Sequence, residues 1–150
     1  MKKIKNKRSA RSTIKSIAIY AVIIISIVYL LPRILAFALG TSHPMAVVSS
    51  NSMWPTLTRG DLIFLQNVNK EDIRVGDVIG YYNGGAGFGI HRVVKVENGS
   101  IMTKGDANIV EDRPISYDYV VGKAVSINGW VVKIPYLGYI SMAAEGELKS

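Results

Sequence analysis

Between Lys15 and Arg33 the chain reads SIAIYAVIIISIVYLLP, with no charge and only two serines to interrupt it. As a helix rising 1.5 Å per residue this run covers about 25 Å, and its continuation through ILAFALG exceeds the ~30 Å hydrocarbon thickness of a bilayer. A charge at mid-bilayer costs about 2.5 to 3.5 kcal/mol, so Lys15 and Arg33 are expected near opposite interfaces, snorkelling outward. The first forty residues are too apolar to join a water-facing core, which leaves about 110 residues for one modest domain. A second reading is open: Ala36-Phe37-Ala38 is a small-x-small site of the kind at which a leader is removed. Against it, the apolar run is longer than the roughly 7 to 15 residues of a leader's core, and Pro32-Arg33 falls between run and site. An uncleaved signal-anchor fits better, with residues 1–15 as a basic cytoplasmic tail and 16–39 as the transmembrane helix.

The formal net charge of +7 raises the question of a nucleic-acid partner. Its distribution answers it. Lys2, Lys3, Lys5, Lys7, Arg8, Arg11 and Lys15 lie in the first fifteen positions with no acid among them, whereas from Arg33 onward eleven basic residues face eleven acidic ones. The basicity is the cytoplasmic flank of a membrane segment under the positive-inside rule, and no nucleic acid is expected. With no cysteine, disulfides, thiolate nucleophiles and Cys-ligated metals are excluded.

After Gly40 the pattern changes to short β-branched runs punctuated by Gly, Asn and Asp: MAVVS, DLIFLQ, DVIGYY, IHRVVKV, SIMTK, YVVGKAVSI and WVVKI. They predict a mostly β domain over residues 41–150. The clearest hairpin is VVKV-ENG-SIMTK, where Asn98-Gly99 tolerates positive φ and Asn98-Gly99-Ser100 forms a glycosylation sequon. Four glycines between Gly84 and Gly89 read as a hairpin connection, since the strand and helix context of a phosphate loop is missing. Near the C-terminus GWVVKIPYLGYISM reads either as a membrane-interface segment or as a core strand followed by a loop.

A serine becomes a nucleophile when a base can take its proton and the chain holds it within reach of a carbonyl. Ser52 is the best placed. It follows an apolar strand and precedes Met53-Trp54-Pro55, where Pro55 sets its own φ and biases Trp54 away from helix. Of two histidines, His43 reads as an interfacial loop residue, while His91 opens a strand on which His91, Val93 and Lys95 are expected to share one face. Carboxylates able to orient an imidazole gather in TKGDANIVEDRP, where Asp106 and Asp112 are the candidates.

In order, SSNSMWPT, RGDLIF, VGDVIGYY, IHRVVKV and TKGDANIVEDR resemble the type I signal peptidases, in particular the archaeal and endoplasmic-reticulum branch that uses histidine where the common bacterial enzymes use lysine. The resemblance covers about Met45 to Tyr139 together with the preceding anchor. It implies a signal-peptidase-like β catalytic domain outside the cytoplasm behind one N-terminal transmembrane helix. It also implies a membrane-bound serine endopeptidase that removes signal peptides from preproteins after small residues. On it, Ser52 is the nucleophile, His91 the general base, Asp112 the orienting carboxylate and Asp106 a supporting acid; Ser50 and the Ser52 N–H are the oxyanion donors. No cofactor or metal is implied. The expected partners are preproteins and the lipid bilayer, with a translocon or accessory subunits, at the cell membrane or the endoplasmic-reticulum membrane.

Two positions depart from the family pattern: Asn51 stands where glycine is common, and Ala107 replaces a frequent Asn. A second, C-terminal membrane span of the kind some archaeal relatives carry is not expected. Lys95 and Lys104 are the nearest lysines, and neither occupies the position of a lysine base. Met53, Ile79 and Val93 are candidate walls of the substrate pockets. A rival reading from another class is a membrane-anchored accessory subunit that binds precursors without cutting them; the coexistence of Ser52, His91, Asp106 and Asp112 argues against it.

Overall fold

The computed structural model describes residues 9–84 and 87–146. Its first element, α1 (Ser9–Leu39), starts inside the expected basic tail. Ser9 to Lys15 contain no Gly or Pro to stop the helix, so it propagates outward from the apolar run. Pro32 lies within it. From Ser12 to Leu39 the helix is long and apolar enough to cross a membrane, and none of its most apolar stretch is buried. The chain divides into two compact units, Met1–Leu35 and Ala36–Ser150.

The second unit is mostly antiparallel sheet. Its strands are β1 (Met45–Val47), β2 (Leu62–Gln66), β3 (Val78–Tyr82), β4 (Phe88–Glu97), β5 (Ser100–Lys104), β6 (Ile115–Ser116), β7 (Val120–Ala124), β8 (Ser126–Ile127), β9 (Trp130–Val131) and β10 (Lys133–Ile134), and a short helix α2 (Gly138–Glu145) follows. The order across the sheet is β1-β2-β7-β3-β4-β5-β6, with β10 also against β2 and β8 paired with β9. The two long C-terminal runs expected as single strands are therefore each split. The breaks fall at Val125 and Val132, where Val132 N–H donates to Val125 O and Val125 N–H to Phe64 O, and the turn between the two runs carries Asn128 and Gly129 at positive φ (52° and 83°), the requirement of a two-residue hairpin turn. At Asn98-Gly99 only Gly99 does, at 95°.

Two clusters form the core. Val48, Met53, Leu57, Ile63, Leu65, Val78, Ile90 and Ala124 make one; Ile73, Ile79, Tyr81, Val93, Ile101 and Ile115 make the other. Strand alternation assigns them to opposite faces of β3 and β4, since Ile79 lies opposite His91 and Tyr81 opposite Gly89, while Gly80 lies opposite Ile90. His91 thus shares its face with the second cluster. A register shift between Val93 and Lys95 corrects one expectation: Val93 pairs with Thr103 but Lys95 pairs with Met102, so the extra residue turns Lys95 to the other face. There it is exposed and ion-paired with Glu97.

Candidate active site

Ser52 sits in a closed loop between β1 and β2. Val48 N–H donates to Asp61 O and Gly60 N–H to Val48 O, pinching its base. Inside it, Trp54 N–H donates to Asn51 O and Leu57 N–H to Met53 O, and the Trp54–Pro55 peptide is cis. The Asn51 side chain accepts from Arg59 N–H at 3.0 Å, a further tie between the two limbs of the loop that a glycine could not make. Met53 and Leu57 anchor the loop in the first core cluster.

The Ser52 Oγ lies 3.0 Å from His91 Nε2. On the far side of the ring, His91 Nδ1 is 2.6 Å from Asp112 Oδ2. The tautomer with Nδ1–H donating to Asp112 leaves the Nε2 lone pair to accept from the Ser52 hydroxyl. Asp112 is held by its own N–H donating to Thr103 O at 2.8 Å and by the Thr103 hydroxyl donating to Oδ2 at 2.7 Å. The Tyr81 hydroxyl lies 3.2 Å from the same oxygen. The His91 and Asp112 side chains are only 16% and 21% exposed, enough shielding for their interaction to exceed that of a surface pair.

Asp106 is elsewhere. Its two carboxylate oxygens receive Arg92 Nε and Nη2, both at 2.8 Å, and Oδ2 also receives the Thr56 hydroxyl. Burial acts to raise the Asp106 pKa, but the Arg92 and Thr56 hydrogen bonds outweigh it and hold the carboxyl below its usual range. Because Thr56 belongs to the Ser52 loop, this ion pair fastens that loop to β4. The backbone on either side of Asp106 adds a second tie: Ala107 N–H donates to Ser52 O at 2.8 Å, and a Cβ on Gly105 would lie 2.6 Å from that same carbonyl oxygen. Lys133 from β10 adds a third, donating to Thr56 O and to the buried Asp61 carboxylate at 3.0 and 2.7 Å.

Ser50 Oγ lies 3.1 Å from Ser52 Oγ and accepts from Ser52 N–H at 3.4 Å. Both serines open on a cleft of about 620 Å³ whose walls are the Met45–Ser50 stretch, the Phe88–His91 stretch, and Ser141 and Met142 of α2. Met53, Ile79 and Val93 do not line it. They are at most 1% exposed, committed to the two core clusters because their strand and loop positions point inward. His43 bonds Ser42 in the loop after α1 and takes no part in the cluster.

No family model matches the sequence. Individual proteins do. The chain is 31% identical over 148 residues to the signal peptidase complex catalytic subunit sec11 of Sclerotinia sclerotiorum, covering 93% of this chain and 83% of that protein. To SEC11 of Pyricularia oryzae it is 32% identical over 146 residues, covering 91% and 82%. The chain belongs to the SEC11 family of signal peptidase complex catalytic subunits. Human SEC11C is 37% identical over 117 residues, which is 69% of this chain; the match spans 58% of the human protein's length.

Of the residues singled out in the sequence, Ser52, His91, Asp112 and Ser50 meet at the cleft, while Asp106 stands behind the Ser52 loop. Sequence reasoning missed Thr103, Tyr81 and Arg92. The signal for the first two is alternation, for Thr103 follows Ile101 and Tyr81 follows Ile79 at period two, so both point inward and a buried hydroxyl requires a partner. Arg92 follows His91 and therefore faces the other way, toward Asp106 and Thr56.

Proposed function

We propose that this chain is a membrane-bound serine endopeptidase that removes signal peptides from preproteins, with Ser52 as nucleophile, His91 as general base and Asp112 as its orienting carboxylate. The observation that carries the reading is the continuous path Ser52 Oγ, His91 Nε2, His91 Nδ1, Asp112 Oδ2, at 3.0 and 2.6 Å, opening on a cleft. Ser52 Oγ attacks the scissile carbonyl as its proton passes to His91 Nε2; the imidazolium is stabilised by Asp112 and returns the proton to the leaving amine. Water, activated by the same base, then releases the acyl-enzyme. The Ser52 N–H and the Ser50 hydroxyl bind the oxyanion, a contribution of a few kcal/mol for each well-placed donor.

The cleft favours an extended substrate. β1 is the end strand of the sheet path, and β5 joins β4 only from Arg92 onward, so the Met45–Val47 and Phe88–His91 stretches each present an unpaired edge to the cleft. A precursor segment laid between them adds a strand, with alternate side chains turned inward. Small residues at the first and third positions before the cut fit this arrangement. Under the positive-inside rule the basic flank of α1 supports a cytoplasmic N-terminus, with the sheet domain on the other side of the membrane, where signal peptides emerge. The relatives' role as subunits of a signal peptidase complex supports accessory partners for this chain too.

The test compares cleavage of a signal-bearing precursor in liposomes by the native chain, Ser52→Ala and His91→Ala. Loss of the base is expected to slow cleavage by about 10² to 10⁴-fold with the fold intact. Equal rates for His91→Ala and the native chain would remove histidine from the mechanism. Precursor binding without cleavage by the native chain would favour the accessory-subunit reading.

A further inference from the structure

The Tyr81 phenol is used by none of the steps above, yet its position is tightly specified. The residue is 1% exposed, and its hydroxyl lies 3.2 Å from each of Asp112 Oδ2, His91 Nδ1 and Thr103 Oγ1. A buried phenol needs only one partner, and the second core cluster is otherwise apolar, so convergence on the imidazole–carboxylate pair is more than hydroxyl satisfaction demands. The ring reaches that point by crossing Gly89, its cross-strand partner, where a Cβ would lie 2.9 Å from Tyr81 Cζ. Glycine at 89 therefore opens the path along which β3 delivers a hydroxyl to a site built on β4 and the loop after β5.

We propose that Tyr81 is a positioning residue for the catalytic pair: its hydroxyl donates to the Asp112 carboxylate, fixing Oδ2 against His91 Nδ1–H and sharing the negative charge that faces the imidazole. The inference rests on the serine-protease reading above. Proton accounting supports the direction. Nδ1 carries its own hydrogen toward Asp112 and cannot accept, and Thr103 spends its proton on Oδ2, so the Tyr81 proton ends on the carboxylate directly or through Thr103. Burial, reinforced by the Asp112 charge and only partly offset by the Thr103 hydrogen bond, pushes the phenol above its ordinary range near 10, so it remains a donor throughout the working range.

Two charged groups on the neighbouring elements have their own partners. Asp106 is paired with Arg92, and Lys123, opposite Ile79 on β7, is paired with Asp77 at 2.7 Å. Removing the hydroxyl should concentrate charge on Asp112 and favour protonated His91.

The experiment uses the full chain in detergent micelles with Tyr81→Phe, which keeps the ring over Gly89. We expect kcat on a signal-bearing precursor to fall about 3- to 10-fold, the range of one hydrogen bond, with KM unchanged. The acid limb of the kcat/KM profile should move to higher pH by roughly half a unit. In an Asp112→Asn background the same change should cost nothing further. The His91 Nδ1 proton, followed by NMR with Asp112 native, should shift and exchange faster in Tyr81→Phe. An unchanged profile and unchanged Nδ1 proton, or an equal rate loss with and without Asp112, overturns the proposal. If the native chain cleaves no precursor, the protease reading fails, and the Nδ1 proton by itself decides whether Tyr81 positions the pair.

Discussion

The two aspartates of the KGDANIVED stretch lie six positions apart and do different physical work. Asp112 faces an imidazole, whereas Asp106 accepts two hydrogen bonds from Arg92 and one from Thr56. Asp112→Asn should therefore leave thermal unfolding nearly unchanged and reduce cleavage about 10³-fold or more, because an amide favours the wrong imidazole tautomer. Asp106→Asn should destabilise the chain by about 1 to 3 kcal/mol in urea unfolding, since guanidinium donors lose their charged acceptor. It should also change the pH dependence of stability. Folded Asp106 titrates below an unfolded carboxyl near 3.9, so the unfolded chain binds that proton first. Its stabilising share is fully present above the unfolded value and is lost as pH falls through the lower, folded one, and Asp106→Asn should lack that part of the acid slope. A variant with the native slope would place the acid sensitivity elsewhere.

At the scale of elements, the Ser52 loop is an insert between β1 and β2, tied from three directions by the loop after β5, by β4 and by β10. The closest of these approaches is at Gly105, where a Cβ would lie 2.6 Å from the Ser52 carbonyl oxygen. Gly105→Ala should push Ser52 off its bond to His91 and lower kcat about 10²-fold, the known cost of an ångström-scale misplacement, with substrate affinity little changed. Single-turnover cleavage separates the two quantities. Lys133→Met removes the partner of Asp61, a carboxylate whose side chain is only 4% exposed, and should cost roughly 2 to 3 kcal/mol in thermal or urea unfolding. α2 was not legible beforehand. Its apolar spacing is short, yet Gly138 N–H donates to Gly60 O, and the helix carries Met142 into the cleft wall, so docking rather than propensity makes it a helix.

At the scale of the whole molecule, the chain is an apolar helix and a sheet domain that separate as Met1–Leu35 and Ala36–Ser150. Removal of residues 1–35 should leave a domain with the unfolding midpoint of the full chain and comparable turnover of a short soluble peptide, while cleavage of a liposome-embedded precursor falls at least tenfold through lost co-localisation. A collapse of the midpoint would show that the domain needs its helix. The sequence by itself determined the apolar span, the mostly β class and the signal-peptidase resemblance, and it narrowed the candidates to Ser52, His91, Asp106 and Asp112, because hydrophobic run length, strand alternation and local motif order are written along the chain. Only the tertiary structure decided which aspartate meets the imidazole, which face Lys95 takes, which residues wall the cleft and that Tyr81 and Thr103 close on Asp112. Those outcomes depend on register, on one bulge in β4 and on the space left by glycines, and each is set by pairing between strands far apart in sequence.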